Sequence, residues 1–418
     1  MKSLGIKLFL YPMFFLFPFV SMQVVYGNLN IPVVDICAMF LGVLFLGIFI
    51  GEVLFNHTIP ELNLKGIVIY SVFLLVTILS IKNTVSVGTS IKFFFRQPVF
   101  YYLVYFISVG SLMIWIGNNQ RQITRFYHLF CMAGFLISIF SIVTSMYRIY
   151  IGKIWGTIPL PYFAANHKVL AVTLTGIIPF LIGMRLNLKT RMRGFYTLTI
   201  MCSTLAIILS FSKTAWLTVV LIYLIWEMRG LRKFTILKPA VIILTIIGII
   251  GVAFYLFTVL SSNPEVIRAE LGRSFLAALA IKLFWAHPII GSGIGSFVIA
   301  MQDYADILPK MGYRTLLDLE AHGLVFKLLA ETGLAGLITF LAFFGILFNW
   351  IYRIYQTYHN HGNSYWENIL FGLLTGLLSL FILNSFFGTD TYTPRLWFPL
   401  TFIIGQGCLA YNEIKNRV

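Results

Sequence analysis

The sequence predicts an all-α fold, that of a polytopic integral membrane protein with about twelve transmembrane helices and one large extracytoplasmic loop. Of the 418 residues, 59% are hydrophobic and 11% are charged, whereas a soluble domain carries about 25% charged residues. Apolar runs of about 20 residues, the length needed to cross a bilayer, recur along the chain. Residues 261–323 form the longest stretch without such a run, and we expect them to be the large loop of a single membrane domain, residues 1–418.

Each predicted span corresponds to one apolar run. The runs lie near 6–26, 31–55, 65–81, 98–117, 126–147, 168–184, 195–211, 214–228, 236–260, 324–350, 367–387 and 396–411. A short polar break around Ser212 separates two of them. We find no internal repeat and no Pro/Ser-rich linker, so a division into domains is not expected.

The distribution of lysine and arginine predicts the orientation. The two densest clusters are RLNLKTRMR (185–193) and MRGLRKF (228–234). Because positively charged short loops stay in the cytoplasm, both termini are expected inside and loop 261–323 outside. The net charge of +16 would also suit a nucleic-acid-binding protein. However, the basic residues form short clusters between apolar runs, a pattern typical of topology signals and of contacts with anionic headgroups.

Two shorter outer loops carry candidate ligand-binding residues. The segment GKIWGTIPLPYFAANHKVLA (152–171) combines aromatic residues with Asn166 and Lys168. Such side chains can stack on sugars and pair with phosphates, but they are equally typical of an interfacial aromatic belt. Lys213, in LSFSKTAW (209–216), begins a helix where backbone N–H groups and an ammonium can bind an anion. The alternative is a lysine that snorkels from a helix end.

The large loop holds a concentrated set of cations. They include Arg268, Arg273, Lys282 and Arg314. We expect Arg273 to begin a helix, RSFLAALAIKLFWAHP, that Pro288 ends, and the glycines of PIIGSGIGSF to form a tight turn.

His322 opens the segment AHGLVFKLLAETGLAGL, at the start of the next predicted helix. A single histidine is most often structural, but this one lies beside the cations, and no Ser-His-Asp arrangement competes with it. Lys327 and Glu331 are one turn apart on that helix, which predicts an internal ion pair. Glu331, Gly333 and Gly336 predict close helix packing.

The carboxylates of the predicted outer loops are scattered. No DxD motif is present there, so we predict neither a bound divalent metal nor another cofactor.

Three strings, SFSKTAW, RSFLAALAIKLFWAHPIIGSGIGSF and AHGLVFKLLAETGLAGL, together resemble the O-antigen ligase/polymerase superfamily of bacterial envelope enzymes. The resemblance covers about half of the chain, from Asn166 onward. It implies a GT-C-like fold in the bacterial inner membrane and an inverting, metal-independent glycosyl transfer at the periplasmic face. The implied donor is a glycan linked to undecaprenyl diphosphate. The implied acceptor is lipid A–core in a ligase, or another lipid-linked glycan in a polymerase.

The resemblance also implies roles for individual residues. Arg273 would bind the diphosphate and His322 would serve the acceptor hydroxyl. Lys213 stands where the family usually has arginine, so the charge remains but the bidentate geometry is lost, and Gly323 stands where asparagine is common. The other expected contacts to the diphosphate and the glycan are Arg268, Lys282, Arg314, Asn166 and Lys168.

Two other classes of membrane protein were weighed against this prediction. A lipid-glycan transporter or flippase also has about twelve spans, but transporters usually show repeated halves with broken helices at matching positions. A scaffolding protein would leave the outer cations unexplained. We therefore favour a glycosyltransferase, and a ligase over a polymerase.

Overall fold

The computed structural model describes residues 2–16, 23–26, 29–51, 64–116, 120–150, 158–160, 163–165, 167–210, 212–229, 264–302, 321, 323–386 and 394–415. Nearly all regular structure in these ranges is helical. The helices are α1 (Lys2–Leu16), α2 (Val33–Gly51), α3 (Leu64–Ser80), α4 (Val87–Phe94), α5 (Gly110–Ile116), α6 (Gln120–Tyr150), α7 (His167–Arg185), α8 (Thr190–Leu209), α9 (Lys213–Arg229), α10 (Pro264–Ala286), α11 (Ser296–Gln302), α12 (Leu324–Asn360), α13 (Ser364–Phe386) and α14 (Pro394–Lys415). A 3-10 turn (Ile81–Asn83) follows α3, and two π-helical stretches (Phe95–Val99 and Tyr101–Val109) join α4 to α5.

Two short antiparallel hairpins lie where outer loops were predicted. Strand β1 (Gln23–Tyr26) pairs with β2 (Leu29–Pro32), and β3 (Ile158–Leu160) pairs with β4 (Phe163–Ala165). The end of the predicted span 6–26 is therefore wrong, because QVVY, rich in residues that favour strands, pairs as β1. The prediction of an all-α fold is correct apart from these hairpins.

Every predicted span except 236–260 overlaps a described helix, and segment 236–260 lies outside the described residues. Five described helices are long and apolar enough to cross a membrane: Val87–Ile114, Arg121–Tyr147, Thr190–Leu209, Leu324–Asn360 and Ser364–Leu383. Shorter apolar helices cover Val34–Ile50, Ile67–Asn83 and Ala171–Arg185. The membrane character is thereby confirmed, while the number of twelve spans stays a prediction.

The helices pack aromatic rings in their interior and carry large apolar side chains on their outer surface. Phe14 stacks on Phe126 with ring centroids 4.5 Å apart, and Phe130 packs edge-on against Phe402. On α2, by contrast, 73% of Val43 is exposed. Large apolar side chains on the outer surface are expected where lipid tails replace water as the solvent.

Side-chain contacts bring the basic clusters to one end of the helices. Tyr11 donates a hydrogen bond to Gln122 and Phe14 packs against Phe130, so α1 runs parallel to α6. His128 lies 2.9 Å from the hydroxyl of Tyr196, and Ser138 lies 2.9 Å from Ser203, so α8 also runs parallel to α6 and begins at the same end. The Asn187 amide donates to the carbonyl of Tyr365 (2.9 Å), which adds the α7–α8 loop and the start of α13. We call this end the basic end. It carries Lys7, Arg121, Arg125, Arg185, Lys189, Arg191, Arg193, Arg229 and Lys415.

The opposite end carries the loop between α10 and α11. Helix α3 runs antiparallel to α12, because Tyr70 packs on Phe343 and Phe73 on Phe340. The end of α3 therefore meets the beginning of α12, far from the basic end. Which side of the membrane each end faces stays a prediction.

Helix α10 differs from its prediction. It begins at Pro264 rather than at Arg273, since PEVIRAELG contains good helix formers and proline suits a first helical position. Arg273 thus lies within the helix. The predicted end near Pro288 is confirmed, because the helix stops at Ala286.

Candidate functional site

The glycine-rich loop after α10 docks into a break in α12. We call residues 287–295 the glycine turn. Helix α12 is interrupted at Gly333, whose backbone (φ 65°, ψ −165°) is non-helical. Sequence analysis predicted close helix packing at Glu331, Gly333 and Gly336. That prediction misses the break, because the apolar helical pattern continues through it.

Backbone groups of the glycine turn replace the helical hydrogen bonds that are lost at the break. In an unbroken helix, the N–H groups of residues 334 and 335 would donate to the carbonyls of 330 and 331. Here the Ala330 and Glu331 carbonyls accept from Ser292 N (3.0 Å) and Gly293 N (2.9 Å). Leu334 N and Ala335 N donate instead to the carbonyls of residues 288 and 289, at 2.9 and 3.0 Å. These four bonds pair four backbone groups of α12 that the break deprives of a helical partner, as buried backbone requires.

Two glycines make this docking possible. At Gly333 a Cβ atom would lie 2.5 Å from Gly291 N, on a backbone conformation that other residues rarely adopt. At Gly291 a Cβ atom would collide with the backbone of Glu331 and Thr332. A larger residue at either position would force the two segments apart.

The glycine turn also contacts the segment that follows α3. The Asn83 side-chain amide donates to the carbonyl of Gly291 (2.9 Å). A Cβ atom on Gly293 would lie 2.7 Å from the Cβ of Thr84, and Phe93 lies directly against Gly295. The turn is therefore held between α12 and residues 83–93. Residues 291–297 are all buried.

Glu331 adds a side-chain bond to this arrangement. Its carboxylate is 3% exposed, and Oε1 accepts a hydrogen bond from the N–H of Gly295 at 3.0 Å. Lys327, one helical turn earlier, is also 3% exposed. The structure thus places the predicted pair in the interior, with one carboxylate oxygen bound to the turn.

A small apolar core links the helix of Arg273 to the residue before His322. It consists of Leu276, Leu279, Ala280, Phe297, Met301, Ala321 and Ala330, and we call it the small core. Arg273 is half-buried and lies three and seven residues before two of these members, so it shares their face of α10. The small core therefore brings α10, α11 and the start of α12 together.

The other predicted site residues are placed to different extents. His322, Arg314 and Asn166 lie outside the described residues, but Ala321 and Gly323 fix the backbone on both sides of His322. Gly323 has φ 98°, a conformation that glycine adopts readily, so this departure from asparagine suits the local backbone. For Lys168, Lys213 and Arg268 the structure describes the helical backbone alone.

Lys282 is not brought together with Arg273. It is exposed, and it follows Arg273 by nine residues, which is about half a rotation around α10. The cations of the loop therefore do not form one cluster on this helix.

Residues 198–341 match the family model described as O-Antigen ligase. The predicted resemblance to the O-antigen ligase superfamily is confirmed for this segment. It contains Lys213, the two candidate catalytic residues Arg273 and His322, the glycine turn and the break in α12. It begins after Asn166 and Lys168, so the match is narrower than the predicted resemblance. No curated protein matches the chain.

Sequence reasoning missed the contact of Asn83 with the glycine turn and the role of Glu331. Asn83 contacts a residue 208 positions away, and no local pattern signals such a pairing. For Glu331 a signal exists, since a carboxylate within a transmembrane helix is costly and usually functional.

Proposed function

We propose that this protein is an O-antigen ligase-like glycosyltransferase. It moves a glycan from undecaprenyl diphosphate to lipid A–core at the periplasmic face of the bacterial inner membrane. The observation that carries the proposal is the O-antigen ligase match over 198–341, within which the small core joins the helix of Arg273 to the residue before His322.

The reaction is a single displacement with inversion. The acceptor hydroxyl attacks the anomeric carbon of the donor while the bond from that carbon to the diphosphate oxygen breaks. The imidazole of His322 takes the hydroxyl proton, a role for which histidine is the suited side chain. Undecaprenyl diphosphate leaves with its negative charge.

Cations stabilise the leaving group. The guanidinium of Arg273 offers paired N–H donors that match phosphate oxygens. Lys213, Arg268 and Arg314 add positive charge, and Asn166, Lys168 and Lys282 contact the glycan or the diphosphate. Charge placed where negative charge develops lowers the barrier without a metal. Holding two lipid-borne substrates in one cleft contributes further through proximity.

Gene deletion followed by gel analysis of the surface polysaccharide tests the proposal. A ligase predicts loss of all long chains on lipid A–core, with lipid-linked polymer accumulating at the periplasmic face. A single repeat unit retained on the core would identify a polymerase. Lipid-linked glycan trapped at the cytoplasmic face would identify a flippase, a class in which broken helices also occur.

The metal-free chemistry has its own test. EDTA is expected to leave the activity of the purified protein unchanged. Activity that is lost on chelation and restored by Mg²⁺ would contradict this part of the proposal.

A further inference from the structure

Glu331 lies where the broken helix and the glycine turn meet. It carries a buried carboxylate within a helix long and apolar enough to cross a membrane. Burial of a charge there is costly and is retained where it serves a function. The proposed chemistry assigns Glu331 no task, but besides its predicted ion pair with Lys327 its carboxylate binds the N–H of Gly295.

Four backbone hydrogen bonds hold residues 288–293 on α12, and the Glu331 side chain takes part in none of them. The side chain holds the last residue of the turn instead, through the N–H of Gly295. Helix α11 begins at the next residue, Ser296. Loss of the carboxylate would therefore leave the turn docked but remove one of the bonds that hold the start of α11, where Ser296 N still donates to the Gly293 carbonyl at 3.1 Å.

The position of α11 matters because its side chains form one wall of the small core. Phe297 and Met301 pack there with Leu276 of α10 and with Ala321. Leu276 is one turn from Arg273 on the same face, and Ala321 precedes His322. A displacement of α11 would thus move the backbone near both candidate catalytic residues.

We propose that Glu331 is a positioning residue for glycosyl transfer. By holding Gly295 it fixes α11 and the small core, against which the helix of Arg273 packs. The inference rests on the proposed function. A misplacement of a catalytic group by about 1 Å can lower the rate about 10²-fold. We therefore expect the loss of Glu331 to lower kcat.

The test uses the full-length protein in proteoliposomes. The donor is undecaprenyl diphosphate carrying the repeat unit of the source strain, and the acceptor is lipid A–core. Glu331→Ala is expected to lower kcat about 10²-fold with a nearly unchanged KM for the donor. Glu331→Gln keeps an oxygen that accepts a hydrogen bond from the N–H of Gly295. Its kcat should therefore stay close to the wild-type value. Thr339→Val is the matched control, since Thr339 donates to carbonyls of its own helix at Ala335 and Gly336.

A wild-type kcat in Glu331→Ala would overturn the inference, as would equal losses in the Ala and Gln variants or a loss confined to the donor KM. If Glu331→Ala does not accumulate in the membrane, Asn83→Leu replaces it. That variant removes a second side-chain hydrogen bond to the turn, from Asn83 to the Gly291 carbonyl, and should also lower kcat, so an unchanged kcat there counts against the inference. No transfer by the wild-type protein would instead overturn the proposed function itself, and this inference with it.

Discussion

The Arg273 side chain is half-buried on the face of α10 that packs in the small core. A guanidinium in such a place is only partly solvated, which strengthens its attraction to a diphosphate. Arg273→Ala is expected to reduce transfer by about 10²–10³-fold while membrane insertion stays intact. Arg273→Lys should fall between the two, because it keeps the charge and loses the bidentate geometry.

Initial transfer rates and protein levels in the membrane provide the measurement. Arg191→Ala is the control, because Arg191 is exposed at the basic end. If Arg273→Ala transfers glycan at the wild-type rate, Arg273 does not bind the diphosphate.

His322 is assigned to the acceptor, so its loss should affect turnover more than donor binding. His322→Ala is expected to lower kcat by about 10²–10⁴-fold, the usual contribution of a general base, with donor binding preserved. His361→Ala, at the opposite end of α12, serves as the control. Unchanged turnover in His322→Ala would exclude proton transfer by this residue.

At the scale of single elements, the break in α12 allows a specific prediction about stability. Gly333→Ala places a Cβ atom against the backbone of the turn and imposes a strained conformation, so it should destabilise the protein by about 1–3 kcal/mol. Gly345→Ala, in the same helix, meets nothing within 4 Å and should be neutral or stabilise the helix by about 1 kcal/mol. Thermal unfolding in detergent compares the two. Equal melting temperatures would contradict the described docking of the turn.

The length of the apolar runs predicts the helices and their approximate ends. The polar break at Ser212 correctly predicts the separation of α8 from α9. The break at Gly333 does not follow from the sequence, because ETGLAG keeps helical spacing and its small residues equally suit close packing. The break becomes visible once the partner is known, and that partner lies some forty residues earlier in the chain. The start of α10 was missed because the expected helix was drawn from its apolar part alone.

At the scale of the whole molecule, the distribution of the basic clusters distinguishes the two ends. The described cations of the clusters that topology rules assign to the cytoplasm lie at the basic end, since Asn187 contacts Tyr365 and Arg229 pairs with Glu367. The sequence could predict that grouping, because the rule uses charge and segment order alone. It could not predict which helices become neighbours, since apolar helices carry few pairing signals in lipid.

Labelling of single cysteines tests the orientation. Lys82 and Arg191 are both exposed, at opposite ends. A membrane-impermeant maleimide, added to cells with a permeabilised outer membrane, is expected to label Lys82→Cys and not Arg191→Cys. The wild-type protein gives the background labelling of its own four cysteines. Both variants should react with the maleimide after solubilisation in detergent. The reverse pattern would place the glycine turn in the cytoplasm and exclude periplasmic transfer.

The central claim is that this protein joins a lipid-linked glycan to lipid A–core, and reconstitution measures it directly. Purified protein in liposomes receives glycan-labelled undecaprenyl diphosphate and lipid A–core, and products are separated by gel and by lipid extraction. We expect label on lipid A–core together with an equal amount of free undecaprenyl diphosphate, and about 10²–10³-fold less of both products with Arg273→Ala. Label that stays on undecaprenyl diphosphate, whether unchanged or as a longer chain, would contradict the account.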